Sequence, residues 1–285
     1  MEVMMRFASI ARPAAAATLL AAALAAPGGA RTGGDQGAPP AKAAANATPA
    51  PTESQKQARD ILMRMAQYIA GAKAFSVSMI TSYDSVQASG QKIEFSERRK
   101  LVLGRPDHLR AEAEHSDGSR TAAVFTGSQI VLIDATNKVY ATERQPGGLD
   151  ESIVYVVSDL RMRFPLAMLL LSRLPAELEK RVRSIEYVEK TNLLGTPSHH
   201  LAARGDTVDI QVWVADGAQP VPLRIVLTYK DAPGQPEFRA QFLDWNMTPA
   251  ISDATFRADL PAGAQKILFA GQLEAARAKG PGGKQ

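Results

Sequence analysis

From Phe75 the apolar residues fall on every second position. "FSVSMITSY" sets Phe75, Val77, Met79, Thr81 and Tyr83 on one face and Ser76, Ser78 and Ser82 on the other. That is the period of a half-buried β-strand. "QKIEFSERRKLVLG", "HLRAEAEH", "RTAAVF", "IVLID" and "VYATER" continue the pattern, with turn-forming stretches such as "SDGS", "TGSQ" and "ATNK" between the later ones. Short alternating segments joined by local turns predict an antiparallel meander. A second run follows: "SIEYVEKT", "SHHLAARG", "DTVDIQVWVAD", "PLRIVLTYK" and "PEFRAQFLDW", then a capped turn at "SDATF" and an edge strand at "KILF".

Two stretches have helical spacing instead. Ala58, Ile61, Leu62, Met65, Tyr68, Ile69 and Ala72 recur three and four apart, and Thr52 with Gln55 forms a capping-box pattern at the start. Between the two strand runs, "LDESIVYVVSDLRMRFPLAMLLLSRLPAELEKRV" repeats helically from an N-cap at Asp150. Pro165 and Pro175 each stand where a new helix can begin, so two or three short, broken helices are expected.

The strands are nearly all half apolar and half polar, which describes a sheet with one wet face. About ten such strands on one sheet must curl or be covered. The predicted class is α+β: a strongly curved antiparallel sheet, a half-barrel, covered by the N-terminal helix and the broken helical insert. The chain divides into an export signal over 1–30, a disordered linker over 31–51, one folded domain over 52–270 and a disordered tail over 271–285. Arg6 and Arg12 precede the apolar run "PAAAATLLAAALAA", which has secretory length and is too short to span a bilayer. Cleavage is expected near Ala26 or Ala30, which places the mature protein in the periplasm.

Composition removes several function classes. With no Cys there is no lipid-modified cysteine, disulfide or thiolate site. The formal charge is +4, and +3 without the first thirty residues, where Arg6 and Arg12 are set against Glu2. With no dense basic run among aromatics, no nucleic-acid groove is expected. His199 and His200 are adjacent and face opposite ways on a strand, so they cannot share a metal. His108 and His115 read as surface or turn residues. "HSDG" reads as a turn, because consecutive residues cannot converge as a triad. Neither a nucleophile elbow nor a phosphate-cradling loop is present. The expectation is a non-enzyme that needs no cofactor.

One strand breaks its own pattern. On the apolar face of "QKIEFSERRKLVLG", Glu97 and Arg99 stand between Phe95 and Leu101. Unpaired charges in an apolar interior cost several kcal/mol each, so these must be paired or wetted. Two readings stay open: this end of the strand reaches the wet rim of the sheet, or the pair lines a partly hydrated cavity. The insert is the second anomaly. Phe164, Leu166, Met168, Leu169, Leu170 and Leu171 exceed what one buried helix face needs, which fits either a core plug or a movable one.

Several stretches carry a family resemblance: "AKAFSVSMITSYD", "GQKIEFSERRKLVLGRPDHLRAE", "GTPSHHLAARGDTVDIQVWVADGAQPVPLRIVLTYK" and "FLDWNMTPAISDATFRADLPAGAQKI". The chain resembles the exported bacterial proteins grouped as domain of unknown function 2092. That family is similar in fold to the LolA, LolB and LppX carriers, half-barrels that shield lipid or lipoprotein acyl chains. The resemblance implies a monomeric carrier or sensor of a hydrophobic ligand but carries over no residue's role; the residues expected to face the ligand come from the two anomalies above and are Phe95, Glu97, Arg99, Leu101, Phe164, Met168, Leu169 and Leu171. On the cavity reading, Arg99 either hydrogen-bonds a helix-end carbonyl of the insert or holds an anionic head group; in the carriers that the chain resembles, a polar latch of the first sort holds the helical lid shut. The alternative is a non-enzymatic envelope module with a filled core, whose partner is an envelope protein.

Overall fold

The Thr52 hydroxyl accepts from the Gln55 amide at 3.2 Å, and the Gln55 side chain accepts from the Thr52 amide at 3.0 Å. This reciprocal cap starts α1 (Glu53–Ala70). The helix buries Ala58, Ile61, Leu62, Met65 and Ile69 of the stripe read from the sequence, and Ala66 besides, while Tyr68 and Ala72 are half-buried. The computed structural model describes residues 50–278. The expected export signal, nearly all of the linker and the last seven residues of the tail lie outside the described residues.

The first strand run gives β1 (Ala74–Val86), β2 (Lys92–Gly104), β3 (His108–His115), β4 (Arg120–Thr126), β5 (Gln129–Asp134) and β6 (Val139–Arg144). The second gives β7 (Ser184–Leu193), β8 (Thr196–Arg204), β9 (Val208–Ala215), β10 (Pro222–Tyr229) and β11 (Glu237–Asn246). Each run is a meander of antiparallel hairpins. They join where β1 pairs with β11, Met79 opposite Phe242 and Thr81 opposite Ala240. The result is one open sheet in the order β12-β6-β5-β4-β3-β2-β1-β11-β10-β9-β8-β7. The twelfth strand, β12 (Gln265–Lys266), starts one residue before the expected "KILF" and runs parallel to β6.

The insert is broken as its prolines demand. It comprises α2 (Leu149–Ser158), a 3₁₀ turn (Ala167–Leu170) and α3 (Leu174–Arg181), with Pro175 in the first turn of α3. Asp150 is not the N-cap of α2; Gly148 is. The Asp150 carboxylate instead accepts from the amide of Ser172 at 2.9 Å and its hydroxyl at 2.7 Å, tying the start of α2 to the start of α3. Helix α1 packs on β7, β8, β9, α3 and the 3₁₀ turn, so it covers the second strand run. The largest fully buried side chains come from every layer: Met65 and Ile69, Phe75, Leu103 and Phe125, Leu149 and Ile153, and Leu174. Beyond the expected domain end, the chain is helical over α4 (Ala270–Ala278), anchored by buried Phe269.

Between β8 and β9 the backbone passes close to itself. A Cβ on Gly205 would stand 2.6 Å from the Val208 carbonyl oxygen and 3.2 Å from that of Arg181. Gly205→Ala therefore forces main chain apart, and a loss of about 1–3 kcal/mol is expected in urea denaturation.

Candidate functional site

The inner face of β11 and β1 to β5, with the facing insert, encloses an open cavity of about 870 Å³. Its closed end is aromatic: Phe75 and Phe242 pack on Trp245, with ring centroids 5.4 and 5.5 Å apart. The Trp245 indole donates to the Pro222 carbonyl at 2.9 Å, which fixes that wall. Val77, Leu101, Phe125 and Leu132 continue the apolar lining, and the insert adds Val156, Met162, Phe164, Leu166, Leu169 and Leu170. Towards the other end, Tyr83 and Phe95 stack at 5.8 Å. Beyond them lie the turns at Ser85–Ala88 and Ser116–Ser119.

A polar cluster interrupts this lining. Glu97 is 5% exposed, while Phe95 and Ile93 on the same strand face are 40% and 39% exposed. The wet rim is thus reached at Phe95, and Glu97 lies inside it. Glu97 Oε2 receives Arg99 Nε at 2.8 Å and Nη2 at 2.5 Å. Its Oε1 lies 3.0 Å from His115 Nδ1, and His115 Nε2 lies 3.1 Å from the Thr121 hydroxyl. Register builds the cluster: Glu97 stands opposite His115, and Arg99 opposite Ala113, which is itself opposite Thr121. A neutral His115 carrying its proton on Nδ1 donates to Glu97 and accepts from Thr121.

Burial alone would raise the Glu97 pKa. The hydrogen bond from His115 and the charge of Arg99 outweigh it and hold the carboxyl below its ordinary value. A depressed folded-state pKa stabilises the fold above the unfolded glutamate value of about 4.3, and that contribution is lost as pH falls through the folded value. Wild-type stability should therefore drop more steeply than that of Glu97→Gln between pH 6 and pH 3, measured by urea unfolding at each pH. Equal slopes would show that Glu97 is not the titrating group.

Of the residues expected to face a ligand, Phe95, Glu97, Arg99, Leu101, Phe164 and Leu169 line the cavity. Met168 and Leu171 do not: Leu171 is buried in the core and Met168 packs against it. The 3₁₀ turn spans only Ala167–Leu170, between a left-handed Leu166 and an extended Leu171, and Leu166, Leu169 and Leu170 are the leucines of this segment that meet the cavity. His115, read from sequence as a surface or turn residue, is on the cavity wall. The "SDGS" turn that follows it sets the register between β3 and β4, not between β2 and β3, so it did not place His115 opposite Glu97.

The expected latch belongs to a different arginine. Arg99 is bound to Glu97, and Arg105 reaches the helix ends. Arg105 Nε donates to the Ala72 carbonyl just past α1 at 3.1 Å, and Nη2 to the Leu170 carbonyl at 2.9 Å. Its Nη1 lies 3.7 Å from Asp150. Burial lowers the Arg105 pKa, opposed by Asp150, and the residue stays a cation. Sequence alone showed Arg105 only as the residue before Pro106, at the end of a strand.

The fold has distant solved relatives. It is similar to an uncharacterised conserved protein from Thermus thermophilus (12% identity, 74% of this chain and 99% of that one, TM-score 0.44). It is also similar to LprF from Mycobacterium bovis (13%, 69% and 96%, TM-score 0.44). A third is the lipoprotein LppX from Mycobacterium tuberculosis (10%, 70% and 100%, TM-score 0.43). No functionally curated protein matches the chain. The family described as "Predicted periplasmic protein (DUF2092)" matches residues 58–270, from the middle of α1 through the last strand, and the chain belongs to that family.

Proposed function

We propose that this protein is a periplasmic carrier or sensor that holds one hydrophobic ligand, a lipid or a lipoprotein acyl chain, between its sheet and its insert. The observation that carries the reading is the cavity: about 870 Å³, apolar at its closed end and open at the other. Protein interiors are packed to the density of organic crystals, so an open space of this size, apolar over part of its wall, is not ordinary core. It falls within the range of pockets that bury a small molecule. The alternative, an envelope interaction module, called for a filled core. Binding, shielding and release need no reaction, so the proposal is a non-enzyme working as a monomer, exported with removal of its first 26–30 residues.

Entry would be through the strap between α2 and the 3₁₀ turn. Arg161 and Leu166 bound it, each a non-glycine residue in the left-handed region, with φ of 53° and 62°. Met162, Arg163, Phe164 and Pro165 between them all line the cavity. Met162 donates its amide to Val156, whereas no backbone acceptor receives the amides of Arg161, Arg163, Phe164 or Leu166 among the described residues. Amide exchange should be fastest in the insert over 161–166 and should slow on adding ligand. A strap as protected as β1 would show a fixed plug instead.

The reading is tested by native mass spectrometry with lipid extraction on protein purified from its own periplasm. A stoichiometric lipid or acyl species is expected. An empty protein that also ignores added fluorescent fatty acid would overturn the carrier reading in favour of the interaction module.

A further inference from the structure

Two side chains on the cavity wall each keep one donor group that makes no hydrogen bond among the described residues. Arg99 directs both of its contacts to one oxygen, Glu97 Oε2, and its Nη1 makes no hydrogen bond among the described residues. Its side chain is one-fifth exposed and lines the cavity. The second donor is Thr81. It is 1% exposed, lines the same cavity, and its hydroxyl has no partner among the described residues. A buried hydroxyl without a partner is destabilising, so an acceptor supplied from the cavity would remove a standing penalty.

The two are neighbours. Thr81 stands opposite Glu97 across β1 and β2, and Met79 opposite Arg99, so Thr81 and Arg99 are diagonal partners on one face. Such positions are about 7–8 Å apart along the backbone, within reach of a long side chain. Register therefore puts both side chains on one patch of the wall, where a small polar group entering from the cavity would meet them together.

Charge decides what that group is. Glu97 already neutralises Arg99 and stands beside it on the same face. An added carboxylate or phosphate would gain from Arg99 and be repelled by Glu97 at nearly the same range. A neutral oxygen that only accepts is not penalised. Depth decides what it is attached to. From Thr81 to Phe75 at the closed end there are six residues of extended strand, about 20 Å. That stretch is lined by Val77, Leu101 and the aromatic end wall. It is the length of a long acyl chain.

We infer that the site recognises a long-chain acyl ester or amide, its chain along the apolar end and its carbonyl oxygen hydrogen-bonded by Arg99 and Thr81. This rests on the carrier reading and adds a chemical preference to it. The test uses three pyrene-tagged chains of equal length ending in a methyl ester, a carboxylate or a plain methyl group. Each is titrated by fluorescence into the mature protein and into Thr81→Val and Arg99→Met.

The ester should bind wild type about tenfold more tightly than the hydrocarbon, the yield of one well-made buried hydrogen bond, and more tightly than the carboxylate. Thr81→Val should cut ester affinity several-fold and leave hydrocarbon affinity unchanged. Equal binding of ester and hydrocarbon by wild type would overturn the inference and leave the carrier reading standing. So would a preference for the carboxylate, or an ester preference that survives both substitutions. Failure of all three probes to bind would remove both. The wild-type ratios need no variant to fold.

Discussion

Arg105→Met is expected to destabilise the protein by about 3 kcal/mol and to raise amide exchange across the whole insert, from α2 to α3. Arg105 holds three separate segments: the carbonyl after α1, the carbonyl ending the 3₁₀ turn, and Asp150 in the first turn of α2. Methionine keeps much of the stem and removes every donor. Two part-buried carbonyls then lose a charged partner, at about 1–3 kcal/mol each before relaxation. Asp150 keeps the Ser172 amide and hydroxyl, and Arg173 at 3.7 Å, so the loss stops short of an uncompensated carboxylate. Arg105→Lys should recover less than half, because an ammonium cannot reproduce the planar fork that reaches two carbonyls and a carboxylate. Urea unfolding and hydrogen-exchange mass spectrometry report the two effects. The control is Arg99→Met, which should leave exchange in the insert as in wild type. If Arg99→Met loosens the insert and Arg105→Met does not, the latch has been assigned to the wrong arginine.

The second large effect comes from separating Glu97 and Arg99. Glu97→Leu leaves a guanidinium on an apolar wall, facing an added isobutyl group, and takes the acceptor from His115. Removing one partner of a buried pair costs about 3–5 kcal/mol when the survivor is sealed from water. The Arg99 side chain retains 21% exposure through the cavity, which places the expected loss near the lower bound, about 3 kcal/mol. The double variant Glu97→Leu with Arg99→Leu removes both charges and should recover at least half of that loss, since replacing a buried pair by apolar side chains is often neutral. Chemical denaturation of wild type, both single variants and the double gives the coupling energy directly. A double variant as unstable as the sum of the singles would mean that the two charges do not depend on each other.

These two arginines mark what the sequence could and could not convey. Alternation exposed Glu97 and Arg99 at once, because a charge on an apolar stripe violates a period of two. It also delivered the strand runs, α1 with its cap, and the proline-broken insert, each a local signal within a window of about ten residues. Arg105 violated no period. It follows the last residue of β2, and its role depends on where α1 and the 3₁₀ turn arrive, both distant in sequence. Thr81 was legible as an inward strand position, but a hydroxyl without a partner can be recognised only once all its neighbours are known. Met168 and Leu171 show the reverse error. Hydrophobicity marked the segment, but its breaks at Leu166 and Leu171 decide which residues meet the cavity: Leu166, Leu169 and Leu170 do, and Met168 and Leu171 do not.

The pairing of β1 with β11 has a consequence for how the chain reaches this structure. Every other antiparallel neighbour in the sheet is joined by a hairpin and can form as soon as its own turn closes. The β1–β11 seam brings together Ser78 and Leu243, and α1, which precedes every strand, rests on β7 to β9. Neither contact can form until the second meander exists. Non-local pairing of this kind slows folding, because the entropy of closing a long loop is lost before the contact compensates for it. The two meanders are thus expected to form early, and closing the seam and seating α1 to come later. Until that step the inner faces of both meanders are open, so the cavity and the finished fold come into being together.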